Sequence, residues 1–142
     1  MDNMRLSLSK RPVISSYQER PMQKALRQLC SQNRFNVLVI HRRAGKTVFA
    51  INKLIRDVLT EPRHNARGHY FAPTYRQAKS IAWDYLRDFT AHIPGMVYNK
   101  TELAATFPRG QKIQLVGADN PDSFRGQYSD TAVLDELAMM PP

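Results

Sequence analysis

Apolar residues recur in TVFAINKLIRDVLT, residues 47–60, at Val48, Ala50, Ile51, Leu54, Ile55, Val58 and Leu59. That spacing predicts a helix buried on a broad face, and it must stop before Pro62. Just upstream, the continuous run FNVLVI (35–40) predicts a short, largely buried strand. From Tyr17 to about Gln32 a second helix is expected, with Pro21 near its start and Met22, Ala25, Leu26 and Leu29 on one face. HYFAP (69–73) reads as another short strand. Thr74 can then cap a helix in which Tyr75, Ala78, Ala82, Tyr85, Leu86 and Phe89 keep the helical period, until Ile93-Pro94-Gly95 breaks it. ELAATF and KIQLVG alternate around Pro108-Arg109-Gly110-Gln111, a hairpin pattern. After the polar stretch ADNPDSFRGQ, DTAVLDE closes the chain as a buried strand ending in two acids. Strands alternating with helices predict an α/β domain with a mainly parallel sheet.

Composition adds a partner class to this picture. The 142 residues are 42% hydrophobic and 23% charged, ordinary values for one globular domain. The formal net charge is +9, which points to an anionic partner, nucleic acid first, then nucleotide, then anionic lipid. Residues 1–16 form a polar, basic segment, and the basic excess continues through Arg43 and Lys46. A solvated basic tail is the competing reading of that excess. One cysteine, Cys30, excludes an internal disulfide framework and fits a reducing compartment. No signal-peptide core, membrane-spanning run or histidine cluster with metal-ligand spacing is present.

HRRAGKT (41–47) ends in the Gly-Lys-Thr of a phosphate-binding loop, but the glycine that would open the loop is Ile40. Such a loop needs backbone N–H groups converging on phosphate, a lysine for the terminal phosphates and a hydroxyl for Mg²⁺. Ala44 and Gly45 supply close-approaching backbone, Lys46 the charge and Thr47 the hydroxyl. The motif leaves an expected strand and opens an expected helix, the context a Walker-A site requires. Without the first glycine, some other backbone conformation has to make the turn. At the far end, Val133-Leu134-Asp135-Glu136 has the form of Walker B, within residues 131–136. A strand-tip carboxylate, Asp135, would orient Mg²⁺ through water, and Glu136 beside it would polarise the attacking water. Two solvated acids at a strand end is the alternative. Arg42 and Arg43 can reach phosphate oxygens with their guanidinium groups; for each, a solvent-facing arginine remains the alternative.

Arg20-Pro21-Met22-Gln23, HRRAGKT, APTYRQAK, GADNPDSFRG and VLDE, in that order, resemble the N-terminal ATPase part of the large terminase subunit of tailed bacteriophages. Members of that family carry an arginine-rich Walker A lacking its first glycine, so Ile40 is expected of them. The resemblance runs from about Tyr17 to Pro142 and implies a P-loop NTPase domain of the ASCE type, a three-layer sandwich around a mainly parallel sheet, over residues 17–142. It implies a motor that uses ATP and Mg²⁺ to push double-stranded DNA into a capsid. The implied partners are a portal and a small terminase subunit, within a homo-oligomeric ring in the cytoplasm of a bacterial host. Carried over, Gln23 reads adenine, although by itself it reads as a helix-surface residue; Lys46 and Thr47 hold phosphates and Mg²⁺, Asp135 holds Mg²⁺, and Glu136 activates water. Arg42 matches the arginine suggested to sense the γ-phosphate. Arg125 is the candidate offered to a neighbouring subunit, against the alternative of local carbonyl or DNA-phosphate bonding. Tyr75, Arg76, Gln77 and Lys79 either link the site to DNA or form a solvated helix start.

Complete members of the family are longer, with a coupling motif and a nuclease domain after Walker B, neither of which these residues contain. In this class a later strand inserts between the Walker-A and Walker-B strands. The expectation for these 142 residues alone is therefore an empty slot in the sheet and exposed strand edges. A helicase-like P-loop ATPase shares the phosphate loop, upstream glutamine and Asp-Glu pair. A truncated remnant without independent ATPase activity is the non-enzymatic alternative.

Overall fold

The structure, a computed structural model, describes residues 17–142; the basic segment expected over 1–16 lies outside them. Helix α1 spans Pro21–Cys30, α2 Lys46–Thr60, α3 Tyr75–Gln77 and α4 Trp83–Thr90. The strands are β1 Arg67–Ala72, β2 Val97–Asn99, β3 Ala104–Thr106, β4 Lys112–Gly117 and β5 Thr131–Leu134. Among the described residues these five form one sheet in the order β2-β3-β4-β1-β5. β1 pairs parallel with β4 and with β5, while β2, β3 and β4 pair antiparallel.

The helix expected from residues 47–60 forms as read. It begins at Lys46 and ends at Thr60, with Glu61 extended ahead of Pro62. Ile51, Leu54, Ile55 and Val58 are almost fully buried against β1 and β4. Each such side chain contributes about 1.5–3 kcal/mol relative to exposure. Thr74 caps α3 as expected, its hydroxyl accepting from the Gln77 N–H at 3.2 Å. The continuation to α4 passes through a π-helical turn, Ala78–Ala82, that the period did not foreshadow. The hairpin forms between β3 and β4, closed by the Phe107 N–H to Gln111 carbonyl bond at 2.8 Å.

Two strands depart from expectation. Residues 35–40 form no strand, and Phe35, Val37 and Val39 are 83%, 91% and 94% exposed. A strand exists only where a neighbour takes its N–H and C=O groups, and no described strand lies beyond β5 to do so. For the same reason DTAVLDE is a half-exposed edge strand instead of a buried one, with Leu134 at 53%. Conversely β2 was not expected, because three residues carry no periodic signal. In α1, Met22 and Leu29 face outward and Gln23 and Cys30 inward.

The two sheet faces differ. One carries Gly68, Tyr70, Ile113 and Leu115 under α2 and α4. On the other, Arg67, His69, Phe71, Lys112 and Gln114 line up. Phe124 packs edge-on to His69 and Phe71 with centroids 4.6 and 4.9 Å away. A cavity of about 850 Å³ opens beside it, over Arg67, Lys112 and Gln114.

His69 is 2% exposed, and its Nδ1 lies 2.9 Å from Ser129 Oγ. Because the Ser129 hydroxyl donates to the Thr131 carbonyl, Nδ1 carries the proton and the ring is the neutral Nδ1–H tautomer. Burial, helped by Arg67 and Lys112 and opposed by a Gln127 hydrogen bond, lowers the pKa to about 4. The folded state therefore favours neutral imidazole. That stability is complete above the unfolded value near 6.5 and is lost as pH falls toward 4. Between pH 7 and 4.5 the wild type should lose about 2 kcal/mol more than His69→Gln in urea unfolding. Parallel pH profiles for the two proteins would refute this assignment.

Candidate nucleotide site

The loop that replaces the missing glycine turns at different residues. Arg43 and Gly45 adopt left-handed backbone, φ +64° and +81°, while Ile40 does not. The turn out of the upstream segment is thus moved three residues along, at a cost of about 1–2 kcal/mol for the non-glycine Arg43. The Ala44 N–H closes back on the His41 carbonyl at 3.3 Å, and the Phe49 N–H bonds the Gly45 carbonyl at 3.0 Å. Lys46 and Thr47 therefore sit on the first turn of α2, where free N–H groups and the helix dipole favour an anion. Lys46 makes no ion pair among the described residues. Arg42 and Arg43 are exposed beside it and likewise unpaired among the described residues.

Gln23 reaches this loop from α1. Buried to 2% exposure, it accepts from the Arg20 N–H at 2.9 Å and donates from Nε2 to the Gly45 carbonyl at 3.3 Å. The helix-surface reading of Gln23 is thus corrected: its side chain is buried and braces the loop backbone, with one Nε2 hydrogen uncommitted by these two bonds.

The Gly-Lys-Thr loop and the acidic strand tip meet although 88 residues separate them: Thr47 Oγ1 donates to Asp135 Oδ2 at 3.0 Å. Register explains the meeting. Tyr70 on β1 stands opposite Val133 on β5, and Asp135, two residues on, points to the same face. The ladder continues through the Asp135 N–H to the Phe71 carbonyl at 2.9 Å. The Tyr70 phenol, 2% exposed, also donates to Asp135 Oδ2. Burial first, then its bond to Asp135, holds that phenol far above its ordinary ionisation range, so it is a neutral donor. Tyr70 lay inside the expected strand HYFAP without being marked as functional. The available signal was a phenol in an otherwise buried strand, since a buried tyrosine hydroxyl needs a partner.

Glu136 follows in left-handed backbone, φ +54°, with its side chain exposed. Arg125 is not brought to this cluster. It is exposed, pairs with Asp122 at 3.2 Å, and follows Phe124, which sits on the opposite sheet face from α2. Arg76 and Lys79 are exposed, and Tyr75 is tied to the Asp119 carboxylate and the Thr101 carbonyl.

The fit to Mg²⁺ rests on oxygen chemistry. Thr47 and Asp135 present a hydroxyl and a carboxylate in contact, with Oδ1 of Asp135 uncommitted by the two bonds on Oδ2. Mg²⁺ is held by one or two such protein oxygens plus phosphates and water. It therefore does not need a cluster of three His, Cys, Asp or Glu, and none occurs among the described residues.

A Gly-Lys-Thr loop opening α2 at the carboxyl ends of the parallel strands β1, β4 and β5 fits the class, a P-loop NTPase fold. Among solved structures the chain is similar to the large terminase ATPase domain of Thermus phage P74-26, with TM-score 0.65 and 22% identity. The match covers 88% of this chain and 56% of that one, so the chain spans little more than half of that structure. The fold expected from the resemblance is thus the fold observed. No family model and no curated protein matches the sequence. No helix among the described residues is long and apolar enough to cross a membrane.

Gly45 combines positive φ with crowding: a Cβ there would lie 2.8 Å from Gln23 Nε2. Gly45→Ala should cost about 2 kcal/mol in urea unfolding, the left-handed backbone and the clash both contributing. In a Gln23→Ala background the clash is removed, and the added cost should drop to about 1 kcal/mol. Strict additivity of the two substitutions would contradict the brace.

Proposed function

We propose that the chain is the ATP-binding and hydrolysing part of a DNA-packaging motor of the large-terminase type. The observation that carries the reading is the Thr47–Asp135 hydrogen bond, which joins the two halves of a phosphate-Mg²⁺ site. The fold likeness to a terminase ATPase domain supports it, as do the motif order and the arginine-rich loop.

In this reading the backbone of residues 44–47 and Lys46 bind the β- and γ-phosphates, with Arg42 and Arg43 beside them. Thr47 and Asp135 would hold Mg²⁺, which neutralises charge on the phosphate oxygens. With its proton donated to Asp135, the Thr47 hydroxyl keeps its lone pairs for a cation. Glu136, exposed and one residue beyond Asp135, would accept a proton from the attacking water. Gln23 keeps one amide hydrogen for adenine. Arg125, on the far face, would serve a neighbouring copy in a ring. Double-stranded DNA is the proposed polymeric substrate, with portal and small subunit as partners, in a bacterial host cytoplasm.

The test is nucleotide binding and hydrolysis by this chain. Lys46→Ala should weaken ATP binding roughly 10- to 100-fold, the loss of one charged hydrogen-bond donor. Glu136→Gln should keep binding and lower turnover about 10²-fold or more. Equal binding and turnover in all three proteins would sink the assignment. DNA affinity should fall steeply with salt, and salt-independent binding would remove DNA from the reading.

A further inference from the structure

We propose that Tyr70 is a positioning residue of the nucleotide site, fixing the Asp135 carboxylate in the orientation that presents Oδ1 to the cation. The inference rests on the reading of Thr47 and Asp135 as the Mg²⁺ ligands.

A carboxylate at the end of a strand turns about two side-chain torsions unless something stops it. Asp135 is partly buried and stands at a sheet edge, so its orientation rests on its hydrogen bonds as much as on packing. Two hydroxyls hold it, both on Oδ2: Thr47 from α2 and Tyr70 from β1. The two donors differ in kind. Thr47 belongs to the phosphate loop's own helix and must share its oxygen with the cation. Tyr70 is buried in the sheet, its backbone held on both sides by β4 and β5, and it does not move with the loop. Its ring packs in the main core with Ile55 and Leu115, a role that a phenylalanine would fill equally. The hydroxyl is what the core does not require, and it points at Asp135. A donor that hydrogen-bonds a metal-holding carboxylate fixes its orientation, and losing such a donor costs about 10- to 100-fold in metal affinity or activity.

The experiment uses the 142-residue chain and a fluorescent ATP analogue, titrated with Mg²⁺ from a metal-free start. Tyr70→Phe should bind the analogue as the wild type does in EDTA, yet need about tenfold more Mg²⁺ for half-maximal enhancement. In an Asp135→Asn background the same substitution should produce no further shift, because Tyr70 acts through that carboxylate. Tyr70→para-aminophenylalanine, which restores a donor at the ring's end, should bring the Mg²⁺ requirement back. An unchanged requirement in Tyr70→Phe, or an equal shift with Asp135→Asn, overturns the positioning role. Lys46→Ala separates this from the parent reading. If it binds nucleotide like the wild type, the site assignment itself falls, and the role of Tyr70 with it. If its binding is lost while Tyr70→Phe is unaffected, only the role of Tyr70 falls.

Discussion

Everything at the candidate nucleotide site depends on how closely α2 lies on β1. Gly68 sets that distance: a Cβ there would come within 2.5 Å of Val58 Cγ2 and 3.1 Å of Leu54 Cδ1. Its absence lets the helix settle onto the strand, and the buried row Ile51, Leu54, Ile55 and Val58 locks it there. With its C-terminal half pinned at Gly68, the rigid helix carries Lys46 and Thr47 to a fixed height above the carboxyl ends of β1 and β5. A hydroxyl on one element then meets a carboxylate on another at 3.0 Å. Neither residue holds that geometry by itself; the core does.

Elements governed by local rules were legible in the sequence. The α2 stripe, the stop before Pro62, the Thr74 cap and the hairpin around Gly110 each follow from periodicity or turn chemistry within a few residues. The Gly-Lys-Thr loop ahead of α2 and the acids at the end of β5 also stand where short motifs suggested. Residues 35–40 failed because strand formation is a property of pairs. Val37 and Val39 have the right side chains, but the ladder groups that would make them a strand lie elsewhere. Tyr70 and the brace from Gln23 to Gly45 were illegible because both are long-range hydrogen bonds set by register and helix placement. The left-handed Arg43 was hidden by a sequence rule that looks for glycine where a turn is needed.

The sheet is asymmetric in chemistry as well as cover. Its face under α2 and α4 is mostly aliphatic, with the buried Tyr70 among the aliphatic side chains. The opposite face mixes Arg67, Lys112, His69 and Gln114 with aromatic rings, and the loop bearing Phe124 packs on it. The neutral imidazole of His69, its charged form disfavoured first by burial, ties the stability of that face to proton concentration.

The Gln23 amide gives α1 a stake in the loop. Its oxygen is committed to the helix entrance at Arg20 and one hydrogen to the Gly45 carbonyl, so a single planar group spans two elements. Neither element can shift on its own without losing one of the two bonds, so the amide couples the start of α1 to the loop backbone.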